Sequence, residues 1–530
     1  MSGHLSTLTT APPSDPLGGA WLAQAFQLPW PEDLPVVSRM GGRRATQVTA
    51  DGWLETWPEA ARPSADVVSH LLFHLRHEVP HLGLLARLFE QIGPDVVQTW
   101  VDTEPTGQYA RRAAFLYEWL TGQTLHVPVG LAGNYVNALD GTRQVVASTG
   151  RGQRVPRWRV VDNLPGTRHF CPLVVKTEAL RSAESLDVHQ LLDGLMAEFG
   201  PDLLMRSAVW LTLRESRASF SIEGEGHQVS RVQRFADVMA RRLGQGPVHL
   251  SADVLAELQQ EILGRRTSLG QFGLRQSPVF VGETVRYQDI VHYVAPPAAD
   301  VAAMLEGLRV FLDRTQGQSA VMRSAVVAFG FVYIHPLADG NGRVHRFLIN
   351  DILRRDGVVP DAMILPVSSL IADDAQVRRR YDQVLDGVSR PLMSLVREHV
   401  DFARKPIVYP DGVSSNFCFS GDALARPLWR YPDLGPHVCF LADVLGKTLA
   451  TKMREESRYL QLHARARAAL KEIVEMPDAQ ADRVIRSLQQ NEGALSNVLA
   501  REIPILAEPG VWAEVVEAVS AAWQGDADPS

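Results

Sequence analysis

The chain has 530 residues, a hydrophobic fraction of 45% and a formal net charge of −7. This composition is typical of a globular protein with about two to four domains, and it excludes a general attraction to nucleic acid, which leaves a basic footprint. Three widely spaced cysteines, Cys171, Cys418 and Cys439, argue against a disulfide framework and favour a reducing compartment.

The N-terminal third of the chain divides into a tail and a mixed region. Residues 1–19 are rich in Ser, Thr and Pro without an apolar segment, so we expect a flexible tail and not a secretory signal. Residues 20–190 combine helical periodicity, as at 67–88 and 109–120, with Gly- and Pro-rich connections at 130–166. We expect an N-terminal α/β or mixed region without a catalytic constellation.

Residues 191–405 form the predicted core. Short apolar runs around Gly282 predict a β-hairpin, and the run from 319 to 355 predicts two helices that flank a glycine-containing loop. The longest apolar stretch, near 325–337, is too short to span a membrane. We therefore expect a cytoplasmic protein without a membrane partner.

Residues 406–530 follow a break at 406–421 and show helical spacing, which predicts a helical C-terminal region. A helical scaffold and a winged-helix-like module both stay open, and we favour the scaffold. The triplet Gly446-Lys447-Thr448 suggests a phosphate-binding loop at first sight. The glycine that such a loop requires five residues earlier is replaced by Leu441, so this interpretation is rejected.

The most informative feature is a loop followed by a helix, with the sequence His335-Pro336-Leu337-Ala338-Asp339-Gly340-Asn341-Gly342-Arg343-Val344-His345-Arg346. Gly340 and Gly342 let the backbone approach a ligand closely, and apolar periodicity places them at a helix N-terminus. Unpaired N–H groups and the helix dipole favour an anion such as pyrophosphate there. Arg343 and Arg346 project from one side of the first turn and could both bind phosphate oxygens.

Two further side chains in this loop suggest the chemistry. Asp339 suits Mg²⁺, which needs only one or two carboxylates when phosphates supply other ligands. His335 could take a proton from a hydroxyl near neutral pH. Each residue alone has a structural explanation, such as a hydrogen-bonded histidine, an Asp-Gly turn or solvated arginines. Their combination predicts a phosphate-handling site.

These twelve residues resemble the signature of the Fic family, H-x-F-x-x-G-N-G-R-x-x-R with Asp or Glu before the first glycine. Leu337 departs from it, because the family usually has Phe there, and we expect Leu337 to anchor the loop in the core. The resemblance covers at least residues 200–470. It implies a mainly α-helical fold, in which a Fic-type core with a small β-hairpin flap spans residues 191–405.

The resemblance also implies an activity: transfer of AMP from ATP to a Ser, Thr or Tyr hydroxyl of a target protein, with release of pyrophosphate and with Mg²⁺ as cofactor. The implied site residues are the catalytic His335 and Asn341, the nucleotide-binding Gly340, Asn341, Gly342, Arg343 and Arg346, and the metal-binding Asp339.

A second segment, Ser219-Phe220-Ser221-Ile222-Glu223-Gly224, is similar to the family's inhibitory motif, [S/T]-x-x-x-E-[G/N]. In relatives of this layout the glutamate pairs with the last arginine of the signature, here Arg346. The resemblance therefore implies that Ser219, Glu223 and Gly224 form an internal brake. The alternative is a plain helix end with Gly224 beyond the last turn.

The segment at 273–293 resembles the family's flap, onto which an extended segment of the target protein pairs as an added strand. An ordinary surface hairpin is the alternative, and self-modification is a further expectation. Other activities stay open as well: removal of AMP from proteins, transfer of another phosphate-containing group, or a nucleotide-sensing interaction scaffold.

Overall fold

A computed structural model describes residues 15–30, 34–49, 52–223, 225, 228–264, 267–286, 288–361 and 363–524. Helices dominate these residues and the sheets are small, so the predicted mainly α-helical fold is confirmed. The chain divides into two compact units. The first contains residues 1–186, 215–361 and 367–445, and the second contains 187–214, 362–366 and 446–530. The predicted segment boundaries stay predictions.

The described α-helices are α1 Gly18–Ala25, α2 Val67–His77, α3 Leu82–Thr103, α4 Gln108–Thr121, α5 Glu178–Glu184, α6 Val188–Phe199, α7 Pro201–Ile222, α8 Val229–Arg242, α9 Ala252–Leu263, α10 Ala298–Arg314, α11 Ala320–Ile334, α12 Asn341–Arg355, α13 Val367–Asp373, α14 Ala375–Val396, α15 Asp422–Arg430, α16 Gly435–Lys447, α17 Arg454–Ile473, α18 Asp478–Gln490, α19 Asn497–Glu502 and α20 Val511–Gln524. None of the helices in this part of the chain is long and apolar enough to cross a membrane.

The described strands are β1 Pro16–Leu17, β2 Val36–Met40, β3 Ala45–Val48, β4 Trp53–Trp57, β5 Val136–Asn137, β6 Gln153–Val155, β7 Val160–Asp162, β8 Phe280–Val285, β9 Gln288–Val294, β10 Val400–Val408 and β11 Ser414–Phe419.

The N-terminal part of the first unit mixes helices with small sheets, as expected. Its four-stranded sheet has the order β1-β2-β4-β3, in which β2 and β4 are parallel and the other pairs are antiparallel. Helices α1 to α4 supply most of an apolar core that includes the fully buried Leu71, Leu85, Leu116 and Trp158.

Helices α11 and α12 form the centre of the first unit. Ser319 caps α11 by accepting a hydrogen bond from the Met322 amide at 3.3 Å, and nearly every residue of α11 is buried. At the end of the two helices that lies away from the connecting loop, Arg323 forms an ion pair with Asp356 at 2.6 Å. The predicted helix–loop–helix over 319–355 is confirmed, and residues 335–340 form the loop.

Two β-hairpins belong to this unit. Strands β8 and β9 form the predicted flap hairpin, with Phe280 opposite Val294. Strands β10 and β11 form a second hairpin, with Val400 opposite Phe419, where the sequence indicated only a break. Pro406 lies within the register irregularity between Phe402 and Ile407, which is where a strand tolerates proline.

The second unit is helical over its described residues. Its apolar core comes from α17 to α20 and includes Leu470, Ile485, Leu499 and Val519. The described residues from 446 to 524 contain no strand, and the favoured scaffold role stays a prediction.

Glu215 joins α7 to α13 within the first unit. Its buried carboxylate accepts hydrogen bonds from the Ser368 amide at 2.7 Å, the Ser369 amide at 3.2 Å and the Ser368 hydroxyl. Burial raises the pKa of Glu215 to about 7, although these hydrogen bonds oppose the shift.

We expect Glu215→Gln to gain stability relative to the wild type as the pH rises from 4.5 to about 7. The unfolded carboxyl loses its proton near pH 4.5, whereas the folded one keeps it until about 7. The stability that Glu215 contributes is therefore fully present below pH 4.5 and is lost as the pH rises through 7. The difference in free energy of unfolding should shift by roughly 3 kcal/mol in urea titrations. A difference that does not vary with pH would contradict this.

Candidate active site

His335 follows α11 directly and has a left-handed backbone conformation, with φ 49° and ψ 57°. Such a conformation costs a non-glycine residue about 1–2 kcal/mol. The ring Nδ1 lies 3.2 Å from the Val332 carbonyl. A carbonyl can only accept, so Nδ1 carries the proton and Nε2 keeps a free lone pair. Burial and the nearby Arg275 lower the pKa of His335 to about 4, which leaves the ring neutral at pH 7.

The loop after His335 is held by its own backbone and by one side chain. The Asn341 amide accepts from the Leu337 N–H at 2.9 Å and donates to the Leu337 carbonyl at 2.7 Å. Leu337 is fully buried, as predicted for a core anchor, and forms an antiparallel bridge with Leu274. The side-chain oxygen and nitrogen of Asn341 therefore both fix the conformation of the loop.

The loop ends at Gly340, whose φ of 94° places it in the region that favours glycine. Helix α12 starts at the next residue, and no side chain caps its N-terminus. A Cβ atom on Gly342 would lie 2.2 Å from a Glu223 oxygen. Gly342 therefore leaves the space beside the first helical turn open, and the Glu223 carboxylate fills it.

Two buried arginines face this carboxylate. Arg346 forms an ion pair with one Glu223 oxygen, and its guanidinium also donates to the Ser219 hydroxyl at 2.6 Å and the Ser219 carbonyl at 3.1 Å. The Arg343 Nε lies 3.1 Å from the other Glu223 oxygen, and its guanidinium lies 5.0 Å from the centre of the Phe220 ring. Glu223 follows the last residue of α7. The structure thus brings Ser219, Glu223, Arg343 and Arg346 together, while Gly224 lies outside the described residues.

Asp339 is the acidic residue of the loop. One of its oxygens lies 3.0 Å from Arg343, and its side chain is 52% exposed. The described residues contain no cluster of three or more His, Cys, Asp or Glu side chains that could hold a metal on its own. A single accessible carboxylate beside an anion site fits Mg²⁺ when phosphate oxygens complete its ligands.

Two residues that sequence analysis did not single out hold the loop from outside. Gln259 on α9 donates to the Asp339 carbonyl at 2.9 Å and accepts from the Gly273 amide at 2.7 Å. Arg275 donates to the His335 carbonyl at 2.6 Å. Both are buried, and neither carries a local sequence pattern that marks a contact with a distant loop.

The fold and the site define a class: a mainly helical protein in which a neutral histidine precedes a glycine turn and a cationic helix N-terminus. Residues 249–353 match the family model described as the Fic/DOC family. This part of the chain is thus similar to a Fic/DOC domain, and the match includes the loop, both strands of the flap hairpin and all but the last two residues of α12.

Named relatives match a similar part of the chain. The protein adenylyltransferase fic-1 of Caenorhabditis briggsae is 30% identical over 177 residues, which cover 33% of this chain and 32% of that protein. The protein adenylyltransferase Fic of Drosophila grimshawi is 32% identical over 152 residues, which cover 28% of this chain and 27% of that protein. The chain thus spans about a third of the length of these relatives.

A crystal structure of a Fic family protein from Desulfovibrio desulfuricans G20 is similar with a TM-score of 0.36 and 18% identity, over 57% of this chain and 82% of that one.

We expect nuclear magnetic resonance to show His335 as a neutral ring protonated on Nδ1 from pH 8 to about 5. The Val332 carbonyl selects this tautomer, and burial together with Arg275 lowers the pKa of His335 to about 4. Nitrogen-15 shifts of labelled histidines, assigned by the loss of one signal in His335→Ala, give both the tautomer and the pKa. A signal that titrates near 6.5, the ordinary value, would exclude this description of the site.

Proposed function

We propose that the protein is an adenylyltransferase, which transfers AMP from ATP to a Ser, Thr or Tyr hydroxyl of a target protein. One observation carries the proposal: an anionic group, the Glu223 carboxylate, lies at the N-terminus of α12 between two buried arginines. Helix N-termini with arginines bind phosphate groups by the same contacts. The adenylyltransferases among the relatives support the choice of ATP as the substrate.

His335 would act as the general base. Its Nε2 would take the proton of the target hydroxyl, whose oxygen forms a new bond to the α-phosphorus. The bond between the α-phosphorus and the bridging oxygen breaks, and pyrophosphate leaves with that electron pair. Arg343 and Arg346 would bind the β- and γ-phosphates, and backbone amides from Gly340 to Gly342 would favour the developing charge.

Asp339 would hold Mg²⁺ together with phosphate oxygens, and the bound ion would neutralise phosphate charge. The exposure of its carboxylate and its position beside Arg343 support this role. We propose that Asn341 fixes the conformation of the loop, since its side-chain oxygen and nitrogen both form hydrogen bonds with the Leu337 backbone.

Glu223 would act as an internal brake. It forms ion pairs with the two arginines that would otherwise bind the β- and γ-phosphates, so carboxylate and triphosphate compete for the same cations. The Ser219 contacts with Arg346 would keep that guanidinium turned towards α7. Bound ATP would then lack the contacts that direct its α-phosphate towards His335.

The flap hairpin would receive the target protein. Strands β8 and β9 form a two-stranded sheet, and the exposed side chains of Val281 and Ile290 lie on different strands. An extended segment of a target could pair with a strand edge and bring a hydroxyl to the loop. Self-modification would use the same edge. The three free cysteines support a cytoplasmic site of action.

We expect Glu223→Gly to raise the rate of AMP transfer by roughly 5- to 150-fold, the range of a coupling free energy of 1–3 kcal/mol. Both arginines then become available to ATP. Glu225→Gly is the matched control, because Glu225 lies on the same segment but pairs with Arg231 at 3.5 Å. His335→Ala in the Glu223→Gly background should lose about 10²- to 10⁴-fold while ATP binding is retained.

Intact-mass and peptide mass spectrometry with ATP, Mg²⁺ and cell lysate measures these rates. No AMP adduct from Glu223→Gly, despite measurable ATP binding, would refute the proposed transfer. Release of AMP from an AMP-modified peptide by the wild type but not by Glu223→Gly would instead identify an AMP-removing enzyme, in which Glu223 orients a water.

We expect Asp339→Asn to raise the Mg²⁺ concentration for half-maximal transfer by about tenfold or more, because the metal loses its charged protein ligand. Asp356→Asn is the control: Asp356 lies at the other end of α12 and pairs with Arg323. Magnesium titrations at fixed ATP in the Glu223→Gly background measure the effect. Equal magnesium dependence in both variants would rule out Asp339 as the ligand.

A further inference from the structure

Arg275 connects the loop with both ends of the flap hairpin. Its guanidinium donates to the His335 carbonyl at 2.6 Å, to the Ser277 carbonyl at 3.0 Å and to the Pro296 carbonyl. Ser277 precedes β8 and Pro296 follows β9. The Arg275 side chain is buried, and these three hydrogen bonds all go to backbone carbonyls. One planar, rigid group thus fixes three separate backbone segments.

The contact with the His335 carbonyl matters because of the backbone at that residue. His335 directly follows the last residue of α11, and carbonyls at the end of a helix lack an intrahelical partner. Its left-handed conformation persists only when surrounding contacts determine it. The Arg275 amide also donates to the Pro336 carbonyl at 2.9 Å. Arg275 therefore determines the peptide planes on both sides of Pro336 and, through them, the direction of the His335 ring.

Asp411 holds the segment next to Arg275. It lies in the turn between β10 and β11, is buried, and accepts from the Gln276 amide at 2.7 Å and from the Ser277 amide and hydroxyl at 2.8 Å each. Its own carbonyl accepts from the Gly270 amide at 2.9 Å. The second hairpin thus holds the segment that leads into the flap.

Aromatic packing joins the two hairpins in addition. Phe280 at the start of β8 lies 5.6 Å from Phe402 on β10 and 4.8 Å from Phe417 on β11, measured between ring centres. Such ring pairs stabilise a contact beyond the area that they bury. The hairpin of β10 and β11 is therefore a brace for the base of the flap.

We propose that Arg275 and Asp411 are positioning residues for the transfer reaction, which keep the flap and the backbone of His335 in fixed register. The inference rests on the proposed function: the flap would place the target hydroxyl, the loop would place the base, and proton transfer requires both. A displacement of about 1 Å between reacting groups can cost on the order of 10²-fold in rate. One guanidinium and one carboxylate prevent that displacement.

The test uses the full chain in the Glu223→Gly background. Arg275→Gln and Arg275→Lys change the guanidinium, and Asp411→Asn changes the carboxylate. Arg112→Gln is the matched control for the first pair, because buried Arg112 also caps backbone carbonyls, those of Ala138 at 2.9 Å and Leu75 at 3.1 Å.

The control for the carboxylate is Asp66→Asn. Like Asp411, Asp66 accepts from the amide and the hydroxyl of one serine, Ser69, at 2.8 Å each, but it does so at the start of α2.

Arg275→Gln should lower the rate of AMP transfer by about 10²-fold and Asp411→Asn by about tenfold, with the Kd for ATP unchanged. Arg275→Lys should recover part of the rate, because an ammonium still donates to carbonyls. Hydrogen–deuterium exchange should accelerate at residues 276–296 and 335–341 in Arg275→Gln and Asp411→Asn. Both controls should keep the rate of the parent protein and its exchange in these segments.

Three results would overturn the positioning role: a folded Arg275→Gln variant with the parent's rate, an equal loss of rate in Arg112→Gln, or a loss of ATP binding that accounts for the whole effect. If the Glu223→Gly parent makes no AMP adduct, the proposed function fails by itself. Unchanged hydrogen–deuterium exchange in Arg275→Gln would then show, without any measurement of turnover, that Arg275 does not couple the flap to the loop.

Discussion

The site depends on the neutralisation of two buried arginines at the start of one helix. Arg343 and Arg346 are at most 5% exposed in their side chains, and burying a cation without a partner costs several kcal/mol. Glu223 supplies the partner, and the Phe220 ring lies close to one of the two guanidinium groups. A phosphate group would satisfy the same cations. In the proposed function, the Glu223 carboxylate and the triphosphate would therefore be alternative counter-ions for the same pair of arginines.

The proposed exchange would require a helix that holds the Glu223 carboxylate in a fixed position. Glu215, Ser219 and Glu223 are spaced by four residues, so they follow one face of α7 and its end. Glu215 binds the backbone of Ser368 and Ser369, Ser219 binds Arg346, and Glu223 reaches the anion position. The contacts of Glu215 and Ser219 leave the anion position open, because neither side chain occupies the space beside Gly342. They fix the direction of the third contact, which a triphosphate would have to replace.

The local parts of this arrangement were predictable from the sequence, and the long-range parts were not. The two helices, the glycine turn and the flap hairpin follow from periodicity and turn residues, whereas the partner of Arg346 was implied by the resemblance of residues 219–224 to the Fic inhibitory motif. The β10–β11 hairpin was missed because Pro406 and Gly412 are ordinary breakers of regular structure, and only pairing in three dimensions makes them a bulge and a turn. The contacts of Gln259, Arg275 and Asp411 join residues far apart in the chain, and no periodicity encodes such contacts.

Leucine at position 337 is accommodated because backbone bonds, more than side-chain volume, hold the loop. The Leu337 amide and carbonyl both bond to Asn341, and the bridge to Leu274 ties the loop to the segment before the flap. A smaller side chain then changes packing by a few carbon atoms and leaves these hydrogen bonds intact. The same backbone contacts, with Arg275 on the preceding carbonyl, hold His335 in its strained conformation. A residue in such a conformation requires several independent contacts around it, and this loop is held from α9, from the segment before the flap and from its own asparagine.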